Sequence, residues 1–163
     1  MASKLTKQQA NRLLEQYTAG LQKATEAAIA AYNRQVDSDL AAEEDENLRK
    51  QKEQKAAARE QYNANAVQAL VQKRQLKEQL SRRGLTHSGT AKAYGRAATD
   101  TRRAADTSTA VKTSNALGKL QSDLLTARRR AEEKRNTNAA NARKTMQNKV
   151  TEKRLTLMKN TEG

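Results

Sequence analysis

The stretch LSRRGLTHSGTA, residues 80–91, decides how this chain folds, because about eighty residues without a single proline lie on either side of it. LSRRGL reads as a helix stop. With Arg83 as the C-cap, Gly84 falls at the position where a left-handed backbone is wanted and where glycine carries no Cβ penalty. Leu85 and Leu80 then take the two places whose side chains accompany a Schellman ending. Arg82 and Arg83 in the last turn complement the helix dipole. Thr86 or Ser88 offers a hydroxyl to cap a new helix, and the pattern resumes by Ala91. A connection this short, over Gly84, Leu85, Ser88 and Gly89, makes antiparallel neighbours of the two helices.

Composition supports long helices and argues against a large core. The 163 residues include 16 Leu, 5 Val, 1 Ile and no Phe, so large aliphatics are scarce. Such a chain with a net charge of +14 would ordinarily read as disordered. Its polar residues, however, are mainly Lys, Arg, Gln and Glu beside abundant Ala, which are the strong helix formers. The chain contains six glycines and no proline. These features predict an all-α fold: one domain over residues 1–163, a long antiparallel coiled-coil-like hairpin with its first arm at about 4–83, its turn at 84–89 and its second arm at about 90–160. At 1.5 Å per residue each arm would run roughly 110 Å.

A fold centred in this turn pairs residues whose numbers sum to about 173, which sets the acidic run EEDE (43–46) against the basic run ARRR (127–130). Glu43 then faces Arg130, Glu44 faces Arg129, Asp45 faces Arg128 and Asp39 faces Lys134. The same register sets Leu48 opposite Leu125, Tyr62 opposite Val111, Leu76 opposite Ala97 and Leu80 opposite Ala93. Exposed ion pairs contribute only about 0–1 kcal/mol each. Their expected role is register, since a shifted alignment would bring like charges together.

Apolar residues recur every three or four positions in both arms: Leu14, Tyr17, Leu21, Ala24, Ala28, Tyr32, Val36 and Leu40 in the first, with Leu48, Tyr62, Val67, Leu70, Leu76 and Leu80 after them. Tyr94, Leu117, Leu120, Leu124, Met146, Val150 and Leu157 carry the stripe in the second. The many four-residue steps stretch a heptad toward an 11-residue repeat. Two stretches are candidate breaks. Asp37 or Ser38 resembles a helix cap, and residues 99–115 are rich in Thr and Ser, which are poor in helix interiors. If both break, a compact four-helix bundle with interruptions near 37–39 and 99–115 replaces the hairpin. Gly20, Gly95 and Gly118 fall inside the arms, where close helix crossings or bends would explain them.

A single Ala-rich seam buries little apolar surface against the backbone entropy of its residues, so the chain reads as part of a larger assembly. The charge is uneven: residues 1–83 carry 15 basic and 11 acidic side chains, residues 84–163 carry 17 and 7. This excess favours acidic or nucleic-acid partners. Lys134, Arg135, Arg143, Lys144, Lys153 and Arg154 are the candidate phosphate contacts, while the four tyrosines read as core. With no cysteine and one histidine, His87, the chain offers no thiolate or His/Cys metal site. EEDE reads as a charged face, since four consecutive acids point around a helix. No nucleophile elbow or phosphate loop is present. The sequence therefore indicates no enzyme, no catalytic residue and no cofactor. No apolar run approaches the ~20 residues that span a bilayer, and the opening MASKLTKQQ has no apolar signal core.

The turn RRGLTHSGTAKA (82–93) resembles the R-G-L-x-x-S-G-x-A turn of small, Ala/Gln/Arg-rich helical proteins encoded among tailed-bacteriophage structural genes. The resemblance implies a virion component that packs in multiple copies around the head–tail axis or tail, near DNA and beside other virion proteins. It carries over no site residue. It leads to the expectation of a structural, multimeric assembly protein, a homo-oligomer located in the virion. The alternative expectation is a nucleic-acid-binding helical protein that uses its basic second arm, located in the cytoplasm.

Overall fold

A computed structural model describes residues 6–86 and 89–162. The chain is all-α: helix α1, Lys7–Arg82, and helix α2, Gly89–Glu162, pack against each other as a hairpin. Of the expected turn residues, Ser88 lies outside the described residues, as does His87.

Both ends of α1 are closed by their own side chains and backbone. At its start the Gln9 amide N–H donates to Thr6 Oγ1 at 3.3 Å, and the Thr6 N–H donates back to Gln9 Oε1 at 3.0 Å. This reciprocal capping box satisfies two N–H groups that the first turn leaves without partners. It is written in the sequence as T-K-Q-Q, residues 6–9. At the far end Gly84 adopts φ of 68°, the Leu85 N–H reaches the Leu80 carbonyl at 2.9 Å, and the Gly84 N–H reaches the Ser81 carbonyl at 3.1 Å. These are the two bonds of a Schellman stop, with Leu80 and Leu85 in the expected places.

Neither candidate break interrupts a helix, so the four-helix alternative is wrong. In residues 99–115 four of the five threonines satisfy themselves: Thr99, Thr101, Thr109 and Thr113 each donate their hydroxyl to the carbonyl four residues earlier, at 2.8 to 3.0 Å. With the hydroxyl returned to its own helix, threonine packs as a small β-branched side chain. At 37–39 the carboxylates turn outward from the local backbone. Asp37 pairs with Arg135, and Asp39 accepts from the Gln35 side-chain amide at 2.8 Å.

The inward positions follow an 11-residue spacing. In α1, Leu14, Thr25, Val36, Asn47, Ala58, Ala69 and Leu80 are all buried or half-buried. In α2 the same holds for Ala98, Thr109, Leu120, Ala131, Ala142 and Lys153. Eleven residues in three turns is 3.67 per turn, close to the helix's own 3.6, so a stripe with this period stays on one side of a nearly relaxed helix. The spacing corrects part of the expected seam. Asn47, not Leu48, lies in the row, and Leu48 is 50% exposed. Val67, Leu70, Tyr94, Val111 and Leu125 likewise sit off the rows and are exposed, so Leu48, Leu125 and Val111, which the expected register set within the seam, lie outside its buried rows. Leu40, Tyr62, Leu76, Leu120, Leu124 and Met146 point inward as expected.

Contacts divide the chain into two compact units, one made of Met1–Glu43 with Thr126–Gly163 and the other of Glu44–Leu125. In the first, the buried residues are apolar: Ala10, Val36, Ala131 and Leu157. In the second, Ala69 and Leu80 share the interior with Asn47, Asn65 and Thr109.

Gly20, Gly95 and Gly118 mark no close crossing, since a Cβ built on each meets nothing within 4 Å. Exchanging glycine for alanine therefore separates two effects. Gly118→Ala gains helix propensity and raises unfolding free energy by about 1 kcal/mol. Gly84→Ala, forced into a left-handed backbone, lowers it by roughly 1–2 kcal/mol. Denaturant titration followed by helical circular dichroism reads both.

Candidate functional site

In the second unit, the arms are joined by amide side chains at the seam. Asn47 donates through Nδ2 to the Leu120 carbonyl at 2.7 Å, and its Oδ1 accepts from Gln51 at 2.8 Å. Asn65 repeats the device. Its Nδ2 donates to Asp106 Oδ1 at 3.0 Å and its Oδ1 accepts from Gln61 at 3.0 Å, while Arg102 approaches the other oxygen of Asp106 at 3.4 Å. Each asparagine is buried, and each is buttressed by a glutamine one turn away on its own helix. A buried asparagine in a helical seam tolerates only an alignment that presents it with a polar partner. In the sequence the charges are the conspicuous register signal, whereas asparagine leaves no mark on a pattern of apolar periodicity. The 11-residue spacing from Leu14 through Val36 to Leu80 is the signal that places Asn47 inside.

In the first unit, Arg135 is half-buried and its guanidinium meets the Asp37 carboxylate across the seam. Asn33 Oδ1 and Arg135 Nε are enclosed without a hydrogen-bond partner. Beside this pair, Glu43 and Arg130 line one small cleft with Asp39 and Lys134, of about 120 Å³. The other expected register residues divide between the units. Glu44 and Asp45 belong to the second, Arg128 and Arg129 to the first. Within EEDE, Glu46 pairs with Lys50 on its own helix at 2.7 Å, and that hydrogen bond and charge, with help from Arg49, hold its carboxyl below the ordinary carboxylate range.

The candidate phosphate contacts fall into two groups. Arg135 and Lys153 are drawn into the hairpin, the first by Asp37 and the second by Tyr17, whose ring centroid lies 5.6 Å from Lys153 Nζ. Lys134, Arg143, Lys144 and Arg154 are exposed. The charge of this unit is one-sided. Residues 1–43 contain five basic and five acidic side chains, whereas residues 126–163 contain 11 basic and four acidic ones. The tyrosines are not core residues as a group: Tyr17 is 36%, Tyr32 38% and Tyr94 51% exposed, and Tyr62 alone is half-buried. The row shift explains this, since Tyr17 and Tyr32 flank the seam positions Thr18 and Asn33. Tyr32 forms one wall of a cleft of about 450 Å³ whose other side is Arg130, Glu133, Lys134, Thr137, Asn138 and Asn141 of α2.

Among the described residues no three His, Asp or Glu side chains gather into a metal site, and no helix is long and apolar enough to cross a membrane. Comparison of the chain with protein-family models, curated proteins and solved structures gives no match.

If the buried amides set alignment, replacing Asn47 and Asn65 together by leucine keeps the chain helical and no less heat-stable, because a buried polar group gives way to apolar packing. The variant loses its single alignment. Amide nuclear magnetic resonance spectra are expected to show one set of peaks for the parent and broadened or multiple peaks for the variant.

Proposed function

We propose that this chain is a structural protein that acts by assembly, with copies of the hairpin packing on one another and on neighbouring proteins, as a component of a tailed-phage virion in the head–tail, tail or internal ejection apparatus. The observation that carries the assembly reading is the surface left uncovered. The chain exposes 12874 Å² for 18.1 kDa, whereas a compact protein of this mass exposes about 8,000 Å². Among the described residues no large side chain is fully buried, and Val67, Leu70 and Val71, three of the scarce large aliphatics, stand together on the outside of α1 at 59%, 67% and 48% exposure. Obligate subunit interfaces bury roughly 1,000–2,500 Å² on each partner, an area smaller than this excess. The virion setting rests on the resemblance of the residue 82–93 turn to tailed-phage structural proteins.

Sedimentation equilibrium and circular dichroism over a dilution series test the assembly reading. The expected outcome is an oligomer that persists in high salt, with helicity falling as dilution separates the copies. A fully helical monomer at every concentration overturns it.

A second reading, binding of nucleic acid, is favoured by one specific observation: the basic excess of the first unit lies wholly on its α2 segment. Polyanion binding through lysine and arginine weakens steeply as salt rises. Salt-titrated binding by the purified chain is expected to show that slope, and salt-independent or absent binding removes this reading.

A further inference from the structure

Tyr17 and Tyr32 stand on one flank of α1, and the residues between them at steps of three or four on that flank are Gly20, Ala24 and Ala28. All five are exposed. The flank therefore presents two aromatic rings separated by a low, uncharged floor, about 22 Å apart along the helix at 1.5 Å per residue. The acids nearest in sequence, Glu15 and Glu26, stand two positions from Tyr17 and Ala28 and so project from other faces of the helix.

The facing flank of α2 is fixed at both ends by contacts. Asn138 and Asn141 line the Tyr32 cleft, and Lys153 lies over the Tyr17 ring. From Asn138 the row continues by the same three- and four-residue steps through Asn141, Thr145 and Lys149 to Lys153, and Glu152, eleven residues after Asn141, is the acid that shares this face. Arg130 and Lys134 extend the positive charge past Tyr32. Glu133 is the one acid lining the Tyr32 cleft, and Asp39 and Glu43 offset Arg130 and Lys134 only on the side away from Tyr17.

We propose that this groove, walled by Tyr17 and Tyr32 and rimmed by Lys149, Arg130 and Lys134, binds single-stranded nucleic acid, its bases stacking on the ring faces that Lys153 leaves open and its phosphates meeting the basic rim. Exposed aromatics interleaved with cations make the sequence-tolerant platform that single strands use. A duplex keeps its bases stacked on one another and offers such rings no base face, so duplex contact falls to the outer cations Arg143 and Lys144. Asn138 and Asn141 supply hydrogen-bonding amides beside the rings without adding charge. The proposal deepens the nucleic-acid reading given above and rests on it.

The test compares anisotropy of a labelled oligothymidylate with that of a duplex of equal length, using the full chain at one moderate salt concentration. Tyr17→Leu and Tyr32→Leu are each expected to weaken the single strand by about tenfold or more, to leave duplex binding and the salt slope unchanged, and to be rescued by Tyr17→Phe and Tyr32→Phe. Ultraviolet cross-linking of oligothymidylate to the unmodified chain supplies a readout independent of variant folding, with Tyr17 and Tyr32 as the expected adducts. Parent-like affinity in both leucine variants, or adducts confined to other residues, overturns the groove while leaving the wider reading in place. Absence of binding to either nucleic acid at low salt overturns both.

Discussion

The near match between an 11-residue apolar spacing and the natural pitch of an α-helix is the constraint on which the rest of the hairpin depends. A heptad stripe drifts around a straight helix and must be followed by supercoiling. A stripe repeated every 11 residues hardly drifts, so α1 and α2 can each continue for more than seventy residues without a break while the same side stays inward. Sharing a seam in this way demands that small or self-satisfied residues fill the row wherever leucine is missing. Ala58, Ala69, Ala131 and Ala142 meet the demand by size. Thr18, Thr25, Thr109 and Thr113 meet it by returning their hydroxyls to carbonyls one turn back.

The same constraint explains what the sequence revealed and what it concealed. The turn was legible because Gly84 and the Leu80–Leu85 spacing encode a stop locally, in six residues, and the hydrogen bonds follow that grammar. The helical class was legible from composition, since strong helix formers dominate the chain and proline is absent. The inward face was only half legible. A reader tracing leucine and valine assigns Leu48 and Val67 to the seam, yet a row fixed by Leu14, Val36 and Leu80 runs through Asn47 and Ala69 instead. Side chains of higher hydropathy lost their inward places to polar ones because period, not local hydropathy, determines the face. The tyrosines were misplaced for the same reason: Tyr17 and Tyr32 are each one residue short of a seam position, and one residue turns a side chain by about 100°.

Register emerges from amides and charges acting at different depths. Asn47 and Asn65 are buried, and their donors reach across to Leu120 and Asp106. Misalignment would leave an enclosed amide without a partner, at a cost of roughly 1–3 kcal/mol per group. The Asp37–Arg135 pair is more exposed, and ion pairs of that kind contribute less than about 1 kcal/mol in water. The amides therefore carry more discrimination per residue than the charges, although the charges are more conspicuous in the sequence. Gln51 and Gln61 matter to this balance because they occupy the second polar atom of each asparagine, so that neither amide oxygen is left enclosed and unmet.

What the seam consumes also determines what the surface offers. In the first unit the hairpin's own use of cations is limited: Asp37 engages Arg135, Tyr17 holds Lys153, and Asp39 and Glu43 face Arg130 and Lys134 in one cleft. Residues 1–43 hold as many acids as bases, five of each, so whichever cations those acids meet, the excess of the 11 bases over the four acids of residues 126–163 stays with the unit. The surplus is therefore a property of the folded unit, displayed along α2 and adjoining a flank of α1 that carries rings and small residues but no charge. Packing has left that flank uncovered, for the 11-residue row turns Thr18 and Asn33 inward and leaves the neighbouring Tyr17 and Tyr32 at the edge. A helix pair built on a thin seam gives up burial, and the flank that carries Tyr17 and Tyr32 stays exposed as a result.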